Sequence, residues 1–124
     1  MTNSSALRIA AFVGLLAVAL GAFGAHGLRA LLVRNEAVGL WEKAVFYHFI
    51  HAVMLFILAG HAPLRFGPWL SFLIGILLFS GSLYLLALTK VHWLGAITPF
   101  GGVSFIVGWL CLVICPFTKA APAP

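Results

Sequence analysis

Phe66-Gly-Pro-Trp-Leu-Ser-Phe-Leu-Ile-Gly-Ile-Leu-Leu-Phe-Ser-Gly-Ser-Leu-Tyr-Leu-Leu-Ala-Leu88 contains no charged side chain, and its reading decides the class of this chain. A hydrocarbon core of about 30 Å takes roughly 20 apolar residues in a helix, and this stretch is long enough. Working outward, three comparable runs lie at Ile9–Leu28, Ala44–Ala62 and Leu94–Phe117. Lipid offers no hydrogen-bond partner to a backbone, so each run satisfies its own amides by becoming a helix. The expected fold is all-α: an integral membrane four-helix bundle in one domain, 1–124, with spans at about 9–28, 44–62, 66–88 and 94–117. Composition agrees. The chain is 64% hydrophobic and 7% charged, with mean hydropathy +1.17, whereas soluble domains carry about 25% charged residues.

The breaks between spans are too short to fold alone. The longest, Arg29 to Lys43, alternates charged and apolar side chains. That pattern predicts a short interfacial helix between the first two spans, with Leu28, Leu31, Leu32 and Leu40 toward the acyl boundary and Arg29, Arg34 and Glu36 toward water. Trp41, Trp69 and Trp93 stand where aromatic anchors are expected. The net charge of +5 comes from basic residues placed singly at span ends. They set topology and do not make the clustered basic face that nucleic acid requires. Arg29, Arg34, Lys43 and Lys90 share one side, and Arg8, Arg65 and Lys119 the other. The imbalance leans toward both termini outside.

Asn3, Ser4 and Ser5 offer helix caps before the first span. Arg8, the apolar run and Ala22-Phe-Gly24 imitate a cleavable signal, but the run continues to full span length and reads as a membrane helix. Cys111 and Cys115, one turn apart on a single helix, read as small packing residues. The terminal Ala120-Ala-Pro-Ala-Pro124 reads as a short disordered end.

Small residues recur at helical spacing. Ala10, Gly14, Ala17, Gly21, Gly24 and Ala25 stripe the first span, which leaves Leu16, Leu20 and Phe23 for lipid. Ser71, Gly75, Leu78 and Ser82, with Gly81 beside them, mark the third. Gly101, Ser104, Gly108, Cys111 and Cys115, with Gly102, mark the fourth. In lipid such stripes let helix backbones approach, so Gly14, Gly21, Gly24, Gly75, Gly81, Gly101, Gly102 and Gly108 are the expected packing positions. Pro99 predicts a kink or broken first turn at the start of the last span.

The second span is the most polar. Ala44, Tyr47, His48, His51 and Leu55 follow one face, which must look into the bundle or toward water. If the first two spans pack antiparallel, His26 at the end of one comes near Tyr47 and His51 on the other. The expected site is an interhelical polar cluster of His26, Tyr47 and His51. The first reading of its role is structural, partner-binding or lipid-interacting. The alternative is proton or ion translocation through an oligomer, because histidine titrates near pH ~6.5. His48 and His51, three apart, with His26 or His61, do not complete a recognisable metal or haem ligand set. No nucleophile elbow, carboxylate pair or phosphate loop suggests an enzyme, and no cofactor motif is present. The expected partners are the lipid bilayer and a second copy or another membrane protein.

Four strings occur in order along the whole chain: Gly21-Ala-Phe-Gly-Ala-His-Gly-Leu28; then Trp41, Tyr47 and His51-Ala52; then Phe79-Ser-Gly-Ser-Leu-Tyr84; then Thr98-Pro-Phe-Gly-Gly102 with Gly108-Trp109. Together they resemble the transmembrane-protein-256-like family, also described as domain of unknown function 423. The resemblance implies a small multi-pass membrane protein, in bacteria one of the inner membrane. It implies no activity, cofactor or catalytic residue.

Overall fold

The computed structural model describes residues 1–117 and residue 124, and every regular element among them is helical. Helix α1 runs Asn3–Ala25, a short α2 Arg29–Arg34, and α3 Val38–Ala59. The third span is α4, Phe66–Gly75, continued through a π turn at Ile76–Ser80 into α5, Gly81–Thr89. A 3-10 turn at His92–Ala96 leads into α6, Thr98–Ile114. Among the described residues, four segments are long and apolar enough to cross a membrane: Asn3–Ala25, Val38–Ala59, Phe66–Thr89 and His92–Ile114.

The first two spans, α1 and α3, begin some six residues before their apolar runs and end about three before the runs do. Hydropathy marks what lies in lipid, whereas caps and backbone bonds mark where a helix starts and stops. The cap of α1 is Thr2, whose Oγ1 accepts from the Ser5 amide at 3.2 Å. Asn3, an expected cap, instead crosses the bundle and donates from Nδ2 to Ala59 O at 3.1 Å and to His61 O. It thereby satisfies carbonyls left open at the end of α3. At the opposite end Asn35 does the same for α5, donating to Ala87 O at 3.0 Å and Leu88 O at 3.2 Å. Lys90 ends α5 in the left-handed region, φ 58°. Pro99 sits in the first turn of α6, where its missing N–H costs nothing. The helix breaks before it and does not kink around it.

The spans pack as a four-helix bundle with the second and third spans at its centre. Helix α1 lies along α3, α3 lies along the third span, and α6 lies along α4 and the π turn. The outer spans are accordingly the least buried, 22% and 17% of their residues against 39% for each inner one. Phe12, Leu15 and Val18 on α1 and Val103, Ile106 and Leu110 on α6 remain exposed. That arrangement suits lipid, since an apolar face costs nothing there. The main core joins Ala6 and Ala10, Leu55 and Leu58, Trp69, Phe72 and Ile76, and Phe105. A second core lies at the α2 end around Leu32, Ala37, Trp41 and Ala87.

Several expected placements change. Leu32 is buried in this second core and Leu28 and Leu40 pack against it, so these three leucines turn into the protein and not toward lipid, while Leu31 is half-buried. Leu20 joins them, while Leu16 and Phe23 are exposed as expected. Trp41 and Trp69 are not interfacial anchors but buried, 3% and 1% exposed, and only Trp93 is open, at 66%. The cause for Trp41 is the lack of a side chain at Gly24, which leaves room for the indole between α1 and α3. Its Nε1 donates to Leu20 O at 2.9 Å. Cys111 is half-buried and Cys115 is exposed at the end of α6, so Cys115 is not a packing residue. Ala120–Ala123 of the expected disordered tail, and Lys119, lie outside the described residues.

Of the eight glycines expected at helix contacts, Gly24, Gly75, Gly101 and Gly108 are closely approached. Phe105 packs over Gly75 and Phe72 over Gly108, a reciprocal seam between α4 and α6. Gly101 faces the backbone of Phe79 in the π turn. Gly21 has Val45 Cγ1 3.3 Å from where a Cβ would stand, and Gly102 has only the ring of Phe79 at 3.9 Å. Gly14 and Gly81 face open space and are corrected as packing positions. Spacing alone cannot say which side of a helix meets another backbone. Hydroxyls reinforce the seam: Ser104 Oγ donates to Ser71 O at 2.7 Å, and Ser82 Oγ and Thr98 Oγ1 are 2.7 Å apart.

Candidate functional site

Helix α3 turns two of its polar side chains, His48 and His51, inward. Ala44, His48, His51 and Leu55 are buried, as their 3–4 spacing requires. His48 Nε2 lies 2.9 Å from Val13 O on α1, and Nδ1 lies 2.9 Å from the Tyr84 hydroxyl on α5. A carbonyl only accepts, so Nε2 carries the hydrogen. In the neutral ring Nδ1 then accepts from Tyr84 O–H. One imidazole thus joins three spans.

One turn on, His51 bridges differently. Trp109 Nε1–H on α6 donates to His51 Nε2 at 3.1 Å. An indole cannot accept, so Nδ1 carries the hydrogen of the neutral ring and donates it to Tyr47 O at 2.7 Å. The two histidines therefore hold opposite tautomers, each set by its neighbours. The His51 ring stacks on Phe105, centroids 3.7 Å apart, and lies 5.3 Å from the Phe72 ring. Ser80 Oγ completes the belt by donating to Ala44 O at 2.7 Å. All four ring nitrogens are committed to hydrogen bonds, and among the described residues no three His, Cys, Asp or Glu side chains converge.

The predicted trio of His26, Tyr47 and His51 is not what forms. His26 is exposed in the turn after α1, and its backbone amide, not its ring, closes that helix. Tyr47 is 38% exposed and rests its ring on Phe79. It meets His51 through its carbonyl and by ring stacking at 6.2 Å. The members missed are Val13, His48, Tyr84 and Trp109. Tyr84 and Trp109 stand in the strings that carried the family resemblance, so a signal was present. Their pairing with α3 was not, because it depends on how three helices are rotated.

A second feature lies at the α2 end of α1 and α3. A cleft of about 420 Å³ lies there, lined by Gly21, Ala25, Val45, Phe46, Phe49 and Ile50. Its mouth holds Arg29, from the start of α2, and Glu42, from the first turns of α3. Arg29 Nη1 and Glu42 Oε1 stand 3.9 Å apart, with side chains 52% and 70% exposed. This is a loosely paired charge couple above an apolar slot.

Comparison with known proteins bears on both features. The family model described as "Protein of unknown function (DUF423)" matches residues 20–102, which include the cleft, both histidines and Tyr84. The chain is 45% identical over 113 residues to UPF0382 membrane protein YwdK of Bacillus subtilis, covering 86% of this chain and 90% of that one. It is 48% identical over 111 residues to UPF0382 membrane protein SERP0230 of Staphylococcus epidermidis, covering 86% and 89%. No solved structure matches. The chain, a polytopic membrane protein by its helices and by its relatives, belongs to the DUF423 family.

Proposed function

We propose that this protein is a non-catalytic membrane module that holds a membrane lipid in the cleft between α1 and α3, within a bacterial inner membrane. The observation that carries the reading is the cleft itself. It is concave, apolar along its depth, charged at its mouth, and of a volume within the roughly 300–1,000 Å³ common to ligand clefts. The histidine belt supports it from the other side. Rings whose nitrogens are all hydrogen-bonded within the protein act as cross-links, whereas the Arg29–Glu42 pair at the cleft stays open to the surroundings. The relatives, being named membrane proteins of bacteria, support the location.

The reading is tested by purifying the full chain from its membrane in a mild detergent and weighing it under non-denaturing conditions. The expected result is a population carrying one phospholipid, reduced in the Ala25→Phe variant. Ala25 lines the cleft and is exposed, so a ring there fills the slot without entering either core. A wild-type protein that sheds all lipid under conditions that keep it folded would overturn the proposal.

A further inference from the structure

Building on the lipid-binding reading, we infer that the cleft selects a glycerophospholipid whose headgroup carries both a phosphate and a primary ammonium. The argument is one of charge complementarity and depth. A charge pair at 3.9 Å is beyond hydrogen-bonding distance, and with both side chains more than half exposed it is held weakly. Each partner therefore keeps its binding capacity. The Arg29 guanidinium presents a planar fork of N–H donors that matches phosphate oxygens two at a time. The Glu42 carboxylate accepts from N–H donors and complements a cation. A zwitterionic headgroup laid across the mouth replaces one long pair with two complementary ones, phosphate on Arg29 and ammonium on Glu42.

Depth agrees with this assignment. Arg29 opens α2 just beyond the first span and Glu42 lies in the first turns of the second, which sets both near the level where a bilayer carries its phosphates. Val45, Phe46, Phe49 and Ile50 follow Glu42 inward along α3, at the level of the acyl chains. A lipid lying parallel to α3 thus meets charge with its headgroup and apolar wall with its chain. Headgroups of other classes fit less well. A purely anionic one sets its phosphate beside Glu42 with nothing to neutralise the carboxylate. A choline headgroup offers methyl groups where Glu42 accepts hydrogen bonds.

The experiment offers the purified full chain an equimolar mixture of phosphatidylethanolamine, phosphatidylcholine and phosphatidylglycerol with identical acyl chains, and weighs the retained lipid. Phosphatidylethanolamine should be retained about fivefold over either competitor, in line with the modest strength of exposed ion pairs. Glu42→Gln should erase that preference while phospholipid is still retained, and Arg29→Ala should weaken retention of all three. Equal retention of the three lipids by wild type, reduced by Ala25→Phe, overturns the headgroup assignment and leaves the cleft as a lipid site. No retention, or retention indifferent to Ala25→Phe, overturns both. So does a dimer that Ala25→Phe disrupts in the absence of bound lipid, since a second copy would then fill the cleft.

Discussion

His48 hydrogen-bonds to two other spans through one ring, joining α1, α3 and α5. Interhelical hydrogen bonds in membranes contribute modestly, about 0.6–2 kcal/mol each, because the unfolded chain in lipid also finds partners. Removing the ring does more than lose two such bonds, since it leaves the Tyr84 hydroxyl without its acceptor among apolar neighbours. We expect His48→Ala to lower unfolding free energy by about 1–3 kcal/mol and Tyr84→Phe by about 1 kcal/mol. The double variant should be little worse than His48→Ala alone, measured by reversible unfolding in mixed detergent. Full additivity would show that the two side chains do not act as a pair. At this scale the sequence was only partly legible. It placed His48 and His51 on one inward face, yet favoured the exposed His26 over His48, because a list of residues on one helix says nothing of the groups they will meet.

Among the elements, α6 and the third span show the clearest division between pattern and contact. The serines and glycines along both helices announced a seam, and the reciprocal pairs Gly75–Phe105 and Gly108–Phe72 fill it. Where Gly101 meets the π turn the backbones are so close that a methyl group would run into Phe79 N and Cα. Backbone cannot rotate aside as a side chain can, so Gly101→Ala should destabilise by about 1–3 kcal/mol, the usual cost of overpacking. Gly81→Ala, in the same seam by spacing but facing open space, should be neutral or stabilising by up to ~1 kcal/mol, as glycine is the poorer helix former. A thermal melt of both variants beside wild type checks the contrast. Equal losses would mean that neither site is set by its neighbour. The periodicity identified both glycines and could not rank them, since the rank depends on where Phe79 stands.

For the molecule as a whole, the four basic residues at the α2 end of the spans outweigh Arg8 and Arg65 at the other. We propose on this ground that the α2 end, with the cleft mouth, faces the cytoplasm and both termini face outward. Cys115 provides a native reporter, being exposed at the outward end of α6. A membrane-impermeant maleimide applied to intact cells should therefore label the wild type and not Cys115→Ser. Labelling that needs broken cells would reverse the orientation. The first and last spans, α1 and α6, offer broad apolar faces to lipid, as their low burial shows.

The sequence by itself determined the number of spans, their approximate limits, the short α2 between the first two, and the small-residue seams. These rest on local quantities, hydropathy over about 20 residues and spacing along one helix, which lipid enforces without reference to the rest of the chain. The tertiary structure alone decided that Trp41 and Trp69 are buried, that Asn3 and Asn35 close distant helix ends, and that His48 pairs with Tyr84. It alone placed Arg29 and Glu42 at the mouth of one cleft. Each of these depends on the rotation of one helix about its axis relative to another. A shift of one residue in that rotation turns a side chain by about 100°, and no local pattern records it.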